Sequence, residues 1–391
     1  MPGGLGTWLF WLGLGFVGFT YAGYPVLIAL LARLRARGAI RGLPAERAAW
    51  PMVSVVVAGH DAAAAWPAKL ATLADLDWPA ERLELIAVDD GSSDDSRALL
   101  AAAAEGEVWR GRLRVVAQER RSGKPSALNA AVALARGEVL LMNDVRQRLD
   151  PGALRALVAA LKDPAVGVVG GELRLEGAGG AGAYWLYEAW IRKHEGRYDS
   201  TLGVSGALYV MRRELWQDIP ADTVLDDMLI PLRVRQGGKR ILFEPDAQAF
   251  DRTADTRREF GRKARTLAGN YQLFARAPRL LVPGLGPLWW QLWCHKVFRL
   301  LVPWALLTVL GCNIWLVANG SVLYRAPLVA QGVAYVGALA GALRERGGGK
   351  GGGAGGIGGL LLGLCWTFVS LNAAAVVGLW RWLTGAQRIT W

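Results

Sequence analysis

Two adjacent acids, Asp226 and Asp227, stand immediately before the apolar run Met228–Leu232. A carboxylate at a site shielded from water can take a proton from an attacking hydroxyl group. The same pair would also suit the N-cap and first turn of a helix, where carboxylates meet unpaired N–H groups and the positive end of the helix dipole. The rest of the chain decides which interpretation is favoured.

Three further polar clusters contain residue types that bind phosphates, nucleotides or metal ions. Asp144, within Asn143–Arg146, offers a hard oxygen ligand for Mg²⁺ or Mn²⁺ that bridges a diphosphate. Asp89-Asp90-Gly91 is either a simple turn or a site where a carboxylate accepts hydrogen bonds from a nucleotide. Arg120–Lys124 supplies cations and a glycine just before a helical segment, without the spacing of a P-loop.

The elements that must position these clusters alternate as in an α/β domain. Strand-like apolar runs lie at 53–58, 83–88, 113–116 and 138–142, and Ala-rich helical segments lie at 68–76, 96–104 and 126–135. This alternation predicts a doubly wound, mostly parallel, Rossmann-like sheet. Ligands of such sheets bind at the carboxyl ends of the strands, where the polar clusters follow.

The ends of the chain have the composition of membrane segments. Hydrophobic residues make up 53% of the 391 residues, and the 18 Trp suggest rings at a bilayer interface. Thr7–Ala32 contains no charged residue and is long enough to cross about 30 Å of hydrocarbon. Three further spans are predicted at 300–317, 326–343 and 357–380. The predicted organisation is a membrane helix at 1–34, a catalytic domain at 49–278, an interfacial helix at 279–298, and a membrane region at 299–391 with a Gly-rich loop at 347–356.

Charge indicates the orientation of these segments. Arg33, Arg35, Arg37, Arg41 and Arg47 follow the first span, which places the next domain in the cytoplasm and the N-terminus outside. The net charge of +12 fits such loops, and no basic stretch is interleaved with stacking aromatics, so nucleic acid is not expected as a partner. The predicted spans contain no acidic or basic residue, which argues against an ion-coupled transporter.

Five segments in this order resemble a known family. Pro51–Asp61, Asp89–Asp94, Gly123–Asn129, Asn143–Pro151 and Leu225–Asp227 resemble the family 2 inverting glycosyltransferases of the GT-A fold. With spans on both sides, the chain is most similar to the cellulose, chitin, hyaluronan and poly-N-acetylglucosamine synthases. The resemblance implies a multi-pass protein of the bacterial inner membrane with a cytoplasmic catalytic domain.

The resemblance also implies a role for each matching residue. Asp227 would be the general base, and Asp144 would bind Mg²⁺ or Mn²⁺. The residues implied for the donor nucleotide are Asp61, Asp89, Asp90, Lys124, Asp144 and Arg265. Those implied for the acceptor are Ser205, Gly206 and Asp226.

The sequence departs from the family pattern at three places. The metal-binding DxD motif is reduced to Asn143-Asp144-Val145-Arg146, where Arg146 can replace part of the charge of a metal. His60-Asp61 replaces the usual Asn-Glu after the first strand. Thr266 stands where the synthases place a Trp that stacks on the acceptor sugar, which puts processive addition in doubt.

The leading hypothesis is transfer of a sugar from a UDP-sugar to a growing glycan acceptor, with or without coupling to export. An alternative with the same chemistry is a single transfer to polyprenyl phosphate or another lipid acceptor. A non-catalytic export or scaffold subunit is a third hypothesis, which the acids Asp90, Asp144 and Asp227 disfavour. The lipid bilayer is an expected partner, and an accessory export protein or a homo-oligomer is also compatible with the sequence.

Overall fold

The computed structural model describes residues 4–35, 50–176, 180–252, 256–284, 286–346 and 356–387. Some predicted features lie outside these ranges. They are Arg37, Arg41 and Arg47, and residues 347–355 of the predicted Gly-rich loop. The described residues form two compact units. We call them the sheet unit, within Arg35–Glu176 and Arg192–Asp251, and the helical unit, within Met1–Leu34, Gly177–Ile191 and Arg252–Gln387.

The sheet unit contains an eight-stranded sheet in its described residues, with the strand order β3-β2-β1-β4-β7-β6-β8-β5. The strands are β1 Val53–Gly59, β2 Leu83–Asp89, β3 Leu113–Ala117, β4 Val139–Met142, β5 Arg148–Leu149, β6 Val166–Glu176, β7 Tyr209–Arg212 and β8 Arg240–Arg252. Strands β1 to β4 pair in parallel, whereas β7 runs antiparallel to both β4 and β6. The α/β prediction is confirmed, in the form of a mixed sheet.

Helices cover both faces of this sheet. They are α3 Trp66–Ala74, α4 Ser96–Glu105, α5 Lys124–Val132, α6 Ala153–Leu161 and α8 Asp226–Gln236. Every residue of β1 is buried, and successive side chains enter opposite cores: Val55 packs in the cluster with α3, α4 and α6, and Val56 in the cluster with α5 and α8. A continuous run of β-branched residues is therefore what this central strand requires, since neither face meets water.

The helical unit contains, in its described residues, four helical stretches long and apolar enough to span a membrane. They are Leu5–Leu34, Leu288–Ala318, Val322–Arg344 and Gly358–Leu383. Helices α1 Leu5–Gly18 and α2 Tyr24–Leu34 form the first stretch, with one π-helical turn between them. Large apolar side chains on these stretches are exposed, for example Leu12, Leu307 and Val336. Such surfaces suggest association with a membrane.

The predicted interfacial helix is continuous with the span that follows it. Helix α10 Leu288–Leu292 passes through the π-helical turn Trp293–Val297 into α11 Phe298–Ala318 without a break. This longer stretch includes His295, Lys296 and Arg299, all of which precede the predicted span 300–317. Arg299 pairs with the partly buried Glu188, and His295 Nε2 lies 3.3 Å from Glu188 Oε2.

The other helices of this unit are α7 Gly180–Tyr198, which is shared with the sheet unit, α9 Thr256–Arg276, α12 Arg325–Arg346 and α13 Gly356–Leu383. Helix α9 lies within the predicted catalytic segment 49–278, yet it packs along α13. A Cβ atom at Gly378 would lie 2.8 Å from the amide nitrogen of Ala268, and the rings of Tyr271 and Trp382 stack.

Candidate active site

The polar clusters meet at one edge of the sheet. Strands β1, β2 and β4 run in parallel, so their carboxyl ends, at Gly59, Asp89 and Met142, lie at the same edge. Tyr209, the first residue of the antiparallel β7, pairs with Met142 and brings the loop before β7 to this edge as well. The sheet topology therefore assembles segments that are far apart in the sequence.

At the end of β2, the buried carboxylate of Asp90 binds backbone of another loop. Its Oδ1 accepts a hydrogen bond from the amide of Ser122 at 2.6 Å, and its Oδ2 accepts one from the amide of Gly123 at 2.9 Å. Gly91, at φ +63°, lies so close to this loop that a Cβ atom would be 2.5 Å from the amide nitrogen of Arg121. Asp90 thus fixes the loop that leads into Lys124.

The loop after β1 is tied to the loop after β2 in a similar way. Asp61 has a left-handed backbone with φ +46°, and its Oδ1 accepts hydrogen bonds from the amide of Ser93 at 2.8 Å and from its hydroxyl at 3.1 Å. The bond from the Ser93 amide is the main reason that the pKa of Asp61 lies below its usual value. His60 Nδ1 lies 2.9 Å from the carbonyl oxygen of Asp90. Asp89 pairs with Arg97 at 3.3 Å.

Lys124, Asp144 and Asp226 form a charged cluster at this edge. Lys124 Nζ lies 2.8 Å from Asp144 Oδ1 and 3.1 Å from Asp226 Oδ2. Burial would lower the pKa of Lys124, but these two carboxylates outweigh it and raise the pKa well above its usual value. The cluster joins the start of α5, the end of β4 and the start of α8, which are three of the predicted motifs.

The predicted acceptor loop borders this cluster. A Cβ atom at Gly206 would lie 3.1 Å from Lys124 Nζ and 3.6 Å from Asp144 Oδ2, so only glycine leaves that side of the cluster open. The amide of Val204 donates to the carbonyl oxygen of Asp227 at 3.0 Å. Ser205 lies in the same loop, where its hydroxyl accepts a 3.4 Å bond from the amide of Ala207.

The acids Asp226 and Asp227 occupy the first turn of α8. The N-cap residue is Leu225, and it makes no side-chain capping bond. Both carboxylates therefore lie where the helix dipole favours negative charge. Asp226 faces Lys124, whereas Asp227 is half-buried. The interpretation as a helix start and the interpretation as a chemical site are thus both compatible with the geometry.

Two buried side chains at this edge gave no signal in the sequence. Lys69 on α3 donates to the side-chain oxygen of Asn143 and to the carbonyl oxygen of Gln147. Burial lowers the pKa of Lys69 to about 7, against the opposing effect of Asp144. Tyr209 is also buried, and its hydroxyl has no hydrogen-bond partner in the described part of the chain. A single lysine on an amphipathic helix and a tyrosine in a strand are too common to predict such placements.

The side chains around Asp144 do not fit a metal centre built on two acids. Asn143 is occupied, because its amide binds Lys69 on one side and the carbonyl oxygen of Ala207 on the other. The next polar position is Arg146, which is a cation. Among the described residues, no three His, Cys, Asp or Glu side chains are grouped so as to hold a metal ion. Asp144 Oδ1 already contacts Lys124, so Oδ2 is the oxygen left for a metal.

Arg265 and Thr266, the remaining positions singled out in the sequence, lie on α9 of the helical unit. Thr266 is exposed and Arg265 is partly exposed. The assignment of Arg265 to the donor remains a prediction.

Comparison with known proteins gives a family match for part of the chain. Residues 54–218 match the family described as Glycosyl transferase family 2. A probable glycosyltransferase, YdaM of Bacillus subtilis (strain 168), is 25% identical over 224 residues, which are 53% of this chain and 52% of that protein. The chain thus spans about half the length of this curated relative.

A solved structure is similar over nearly the whole chain. The mannosyltransferase PcManGT from Pyrobaculum calidifontis, in complex with GDP-Man and Mn²⁺, has a TM-score of 0.74 and 23% identity, and the similarity covers 96% of this chain and 99% of that one. At this identity the similarity shows the fold. Residues 54–218 thus match the glycosyltransferase family 2 model, and the chain has a GT-A-like fold.

Proposed function

We propose that the protein transfers a glycosyl group from a nucleoside diphosphate sugar to a hydroxyl group of an acceptor at a membrane. The observation that carries this proposal is the cluster of Lys124, Asp144 and Asp226, open on the side of Gly206 and followed directly by Asp227. An ammonium group beside an open face can receive a phosphate, and the adjacent carboxylate can receive a proton. The family 2 domain supports this reaction class.

In the proposed reaction, inversion results from a single displacement. The acceptor oxygen forms a bond to the anomeric carbon while the bond from that carbon to the diphosphate oxygen breaks. Asp227 takes the proton of the acceptor hydroxyl, and the electron pair of the broken bond leaves with the nucleoside diphosphate. Asp226 is the poorer base, because its Oδ2 lies 3.1 Å from Lys124 and loses that ion pair on protonation. Asp227 is therefore the proposed general base.

Two arguments bear on the donor, and they favour different nucleotides. The sequence resemblance implies a UDP-sugar, with Asp61, Asp89 and Asp90 near the nucleotide. The mannosyltransferase of similar fold was solved with GDP-Man, which supports a guanosine donor instead. Because Asp90 holds backbone amides of the Arg120–Lys124 loop, we propose that it shapes the nucleotide site through that loop.

The proposed acceptor is a growing glycan, with a single transfer to a lipid phosphate as the alternative. One observation favours the alternative: Thr266 is exposed on α9, and a threonine has no aromatic face on which an acceptor sugar can stack. The four apolar stretches of the helical unit are compatible with either acceptor.

The test is a transfer assay with the full chain in lipid vesicles. Labelled UDP-glucose, UDP-N-acetylglucosamine, UDP-glucuronate and GDP-mannose are supplied separately, and the labelled product is sized and partitioned between water and organic solvent. A polymer indicates a growing glycan, whereas one sugar in the organic phase indicates a lipid acceptor. No transfer from any of these donors, with nucleoside diphosphates also failing to bind, would contradict the proposed function.

The assignment of the base is tested by Asp227→Asn. We expect turnover to fall by about 10²-fold to 10⁴-fold with little change in donor binding, because only proton removal is lost. Glu107→Gln, which neutralises an exposed acid in the turn after α4, is the matched control and should retain turnover. Near-normal transfer by Asp227→Asn would contradict the assignment.

A further inference from the structure

We propose that Lys124 and Arg146 bind the diphosphate of the donor directly, so that transfer requires no divalent metal ion. This inference rests on the proposed function and goes against the sequence-based expectation of Mg²⁺ or Mn²⁺ at Asp144.

The first observation is the position of Lys124. Its ammonium group lies against Asp144 at 2.8 Å, on the one acid that remains of the motif expected to bind the metal. A divalent ion on Asp144 would therefore have to lie beside an ammonium group or displace it. Gly206 leaves the ammonium group approachable, so a phosphate oxygen can reach it while the backbone stays in place.

The second observation is Arg146, which occupies the position two residues after Asp144 where the family pattern has its other acid. The side chain of Arg146 is 63% exposed, and the ion pair found for it is a loose one, 3.8 Å from Asp251 Oδ2. That oxygen already accepts a 2.7 Å hydrogen bond from Gln147 Nε2. The guanidinium group therefore keeps N–H donors for a ligand, and its fork geometry matches two phosphate oxygens.

The third observation concerns Asn143, whose side chain is engaged within the protein. The side-chain oxygen of Asn143 accepts a hydrogen bond from the buried Lys69, and the side-chain nitrogen of Asn143 donates to Ala207. Asn143 is thus fixed within the protein and offers no oxygen to a metal. Within Asn143–Arg146, the carboxylate oxygen left for a metal is Asp144 Oδ2, beside the ammonium group of Lys124, whereas Mg²⁺ and Mn²⁺ require several oxygen ligands.

The same arrangement suits the leaving group. When the bond to the sugar breaks, negative charge grows on the diphosphate, and fixed cations close to it stabilise the transition state. Lys124 and Arg146 can supply that positive charge, while Asp144 holds Lys124 in place. Asp144 becomes a positioning residue in this view, since it acts through the lysine.

The test measures nucleotide binding separately from turnover. UDP and GDP are titrated calorimetrically into the full chain in detergent, once with EDTA and once with Mn²⁺, and Mn²⁺ bound to the protein is followed by electron paramagnetic resonance. We expect one nucleotide to bind with a dissociation constant that differs less than about threefold between the two conditions, which is under 1 kcal/mol. We also expect transfer to continue in EDTA.

Variants of Arg146 make the test specific. Arg146→Ala should weaken nucleotide binding in EDTA by about tenfold or more, as expected for loss of a charge-assisted pair. Arg146→Asp, which restores an acid pair, should make binding depend on Mn²⁺. Arg148→Ala is the matched control, because Arg148 is a nearby exposed arginine that pairs with Glu176, and it should change neither property.

Two results would overturn the inference, and they are distinguishable. If the wild-type chain binds nucleotide only with Mn²⁺ and gives a signal of immobilised Mn²⁺, metal independence is wrong while the proposed function stands. If neither UDP nor GDP binds under either condition, the donor class itself is wrong, and both proposals fail.

Discussion

Replacing Asp90 by asparagine tests whether this acid organises the site through backbone or binds the nucleotide itself. The carboxylate is buried and accepts hydrogen bonds from the amides of Ser122 and Gly123 at 2.6 and 2.9 Å. Asparagine retains one acceptor oxygen and turns an N–H₂ donor towards the second amide. We therefore expect the loop before Lys124 to open more often in Asp90→Asn.

The size of the effect follows from the two bonds. Loss of one hydrogen bond to a charged acceptor costs about 1.5 to 3 kcal/mol, and a buried unpaired amide costs about 1 kcal/mol or more. A total of about 3 kcal/mol corresponds to an increase of about a hundredfold in loop opening. Part of this cost falls on local opening and not on global unfolding, because the loop is a surface segment.

The assay is hydrogen exchange of the full chain in detergent, without nucleotide, followed by mass spectrometry of peptides that contain residues 118–126. Exchange at Ser122 and Gly123 should accelerate in Asp90→Asn, by up to about a hundredfold by the estimate above. Asp95→Asn is the matched control, because Asp95 is exposed at the start of α4 and makes no capping bond. If exchange in this peptide is unchanged while nucleotide binding is lost, Asp90 acts on the nucleotide directly and the structural argument is wrong.

Two further predictions concern the same edge of the sheet. Gly206→Ala should raise the KM for the donor several-fold with little change in the melting temperature, because its Cβ atom would lie 3.1 Å from the flexible end of Lys124. Gly237→Ala is the control, since its Cβ atom would lie nearest to a backbone oxygen, at 3.4 Å. Equal KM values for both variants would contradict this expectation. Lys69 has a pKa of about 7, whereas an unfolded lysine has about 10.4, so between these values the unfolded chain binds a proton that the folded chain does not. The free energy of unfolding should therefore rise with pH over this window, by up to about 1.4 kcal/mol per pH unit. Lys69→Met should flatten this rise in thermal melts between pH 7 and about 10, and an undiminished slope in the variant would assign the pH dependence to another group.

The parts of the fold that the sequence predicts best are those set by local pattern. The β-branched runs that became β1 and β2 are buried on both faces, and burial of that kind leaves a continuous apolar run in the sequence. The order of polar clusters at the strand ends also follows, because parallel strands carry their carboxyl ends to one edge. Local pattern does not indicate the direction of β7. That direction, antiparallel to β4, depends on the path of the chain between the two strands.

The sequence indicates which residues lie at the candidate site better than it indicates which atoms those residues contact. Lys124, Asp144 and Asp226 belong to three separate motifs, and in the structure both carboxylates lie within 3.1 Å of Lys124 Nζ. The sequence predicts a nucleotide contact for Asp90, and it contains no sign that the oxygens of Asp90 accept hydrogen bonds from amides about thirty residues away in the chain. Lys69 could not be found, because an isolated lysine on a helix usually points to water and its burial depends on the tertiary fold.

On the proposed function, the contacts of Lys124 affect how strongly the donor is held and how readily the nucleotide leaves. Because its ammonium group already contacts two carboxylates, an arriving phosphate competes with them for the lysine. The free energy of donor capture is then the difference between two similar attractions, and the carboxylates compete for the lysine again once the sugar has left. A site built in this way favours rapid release of the spent nucleotide over tight retention of the donor.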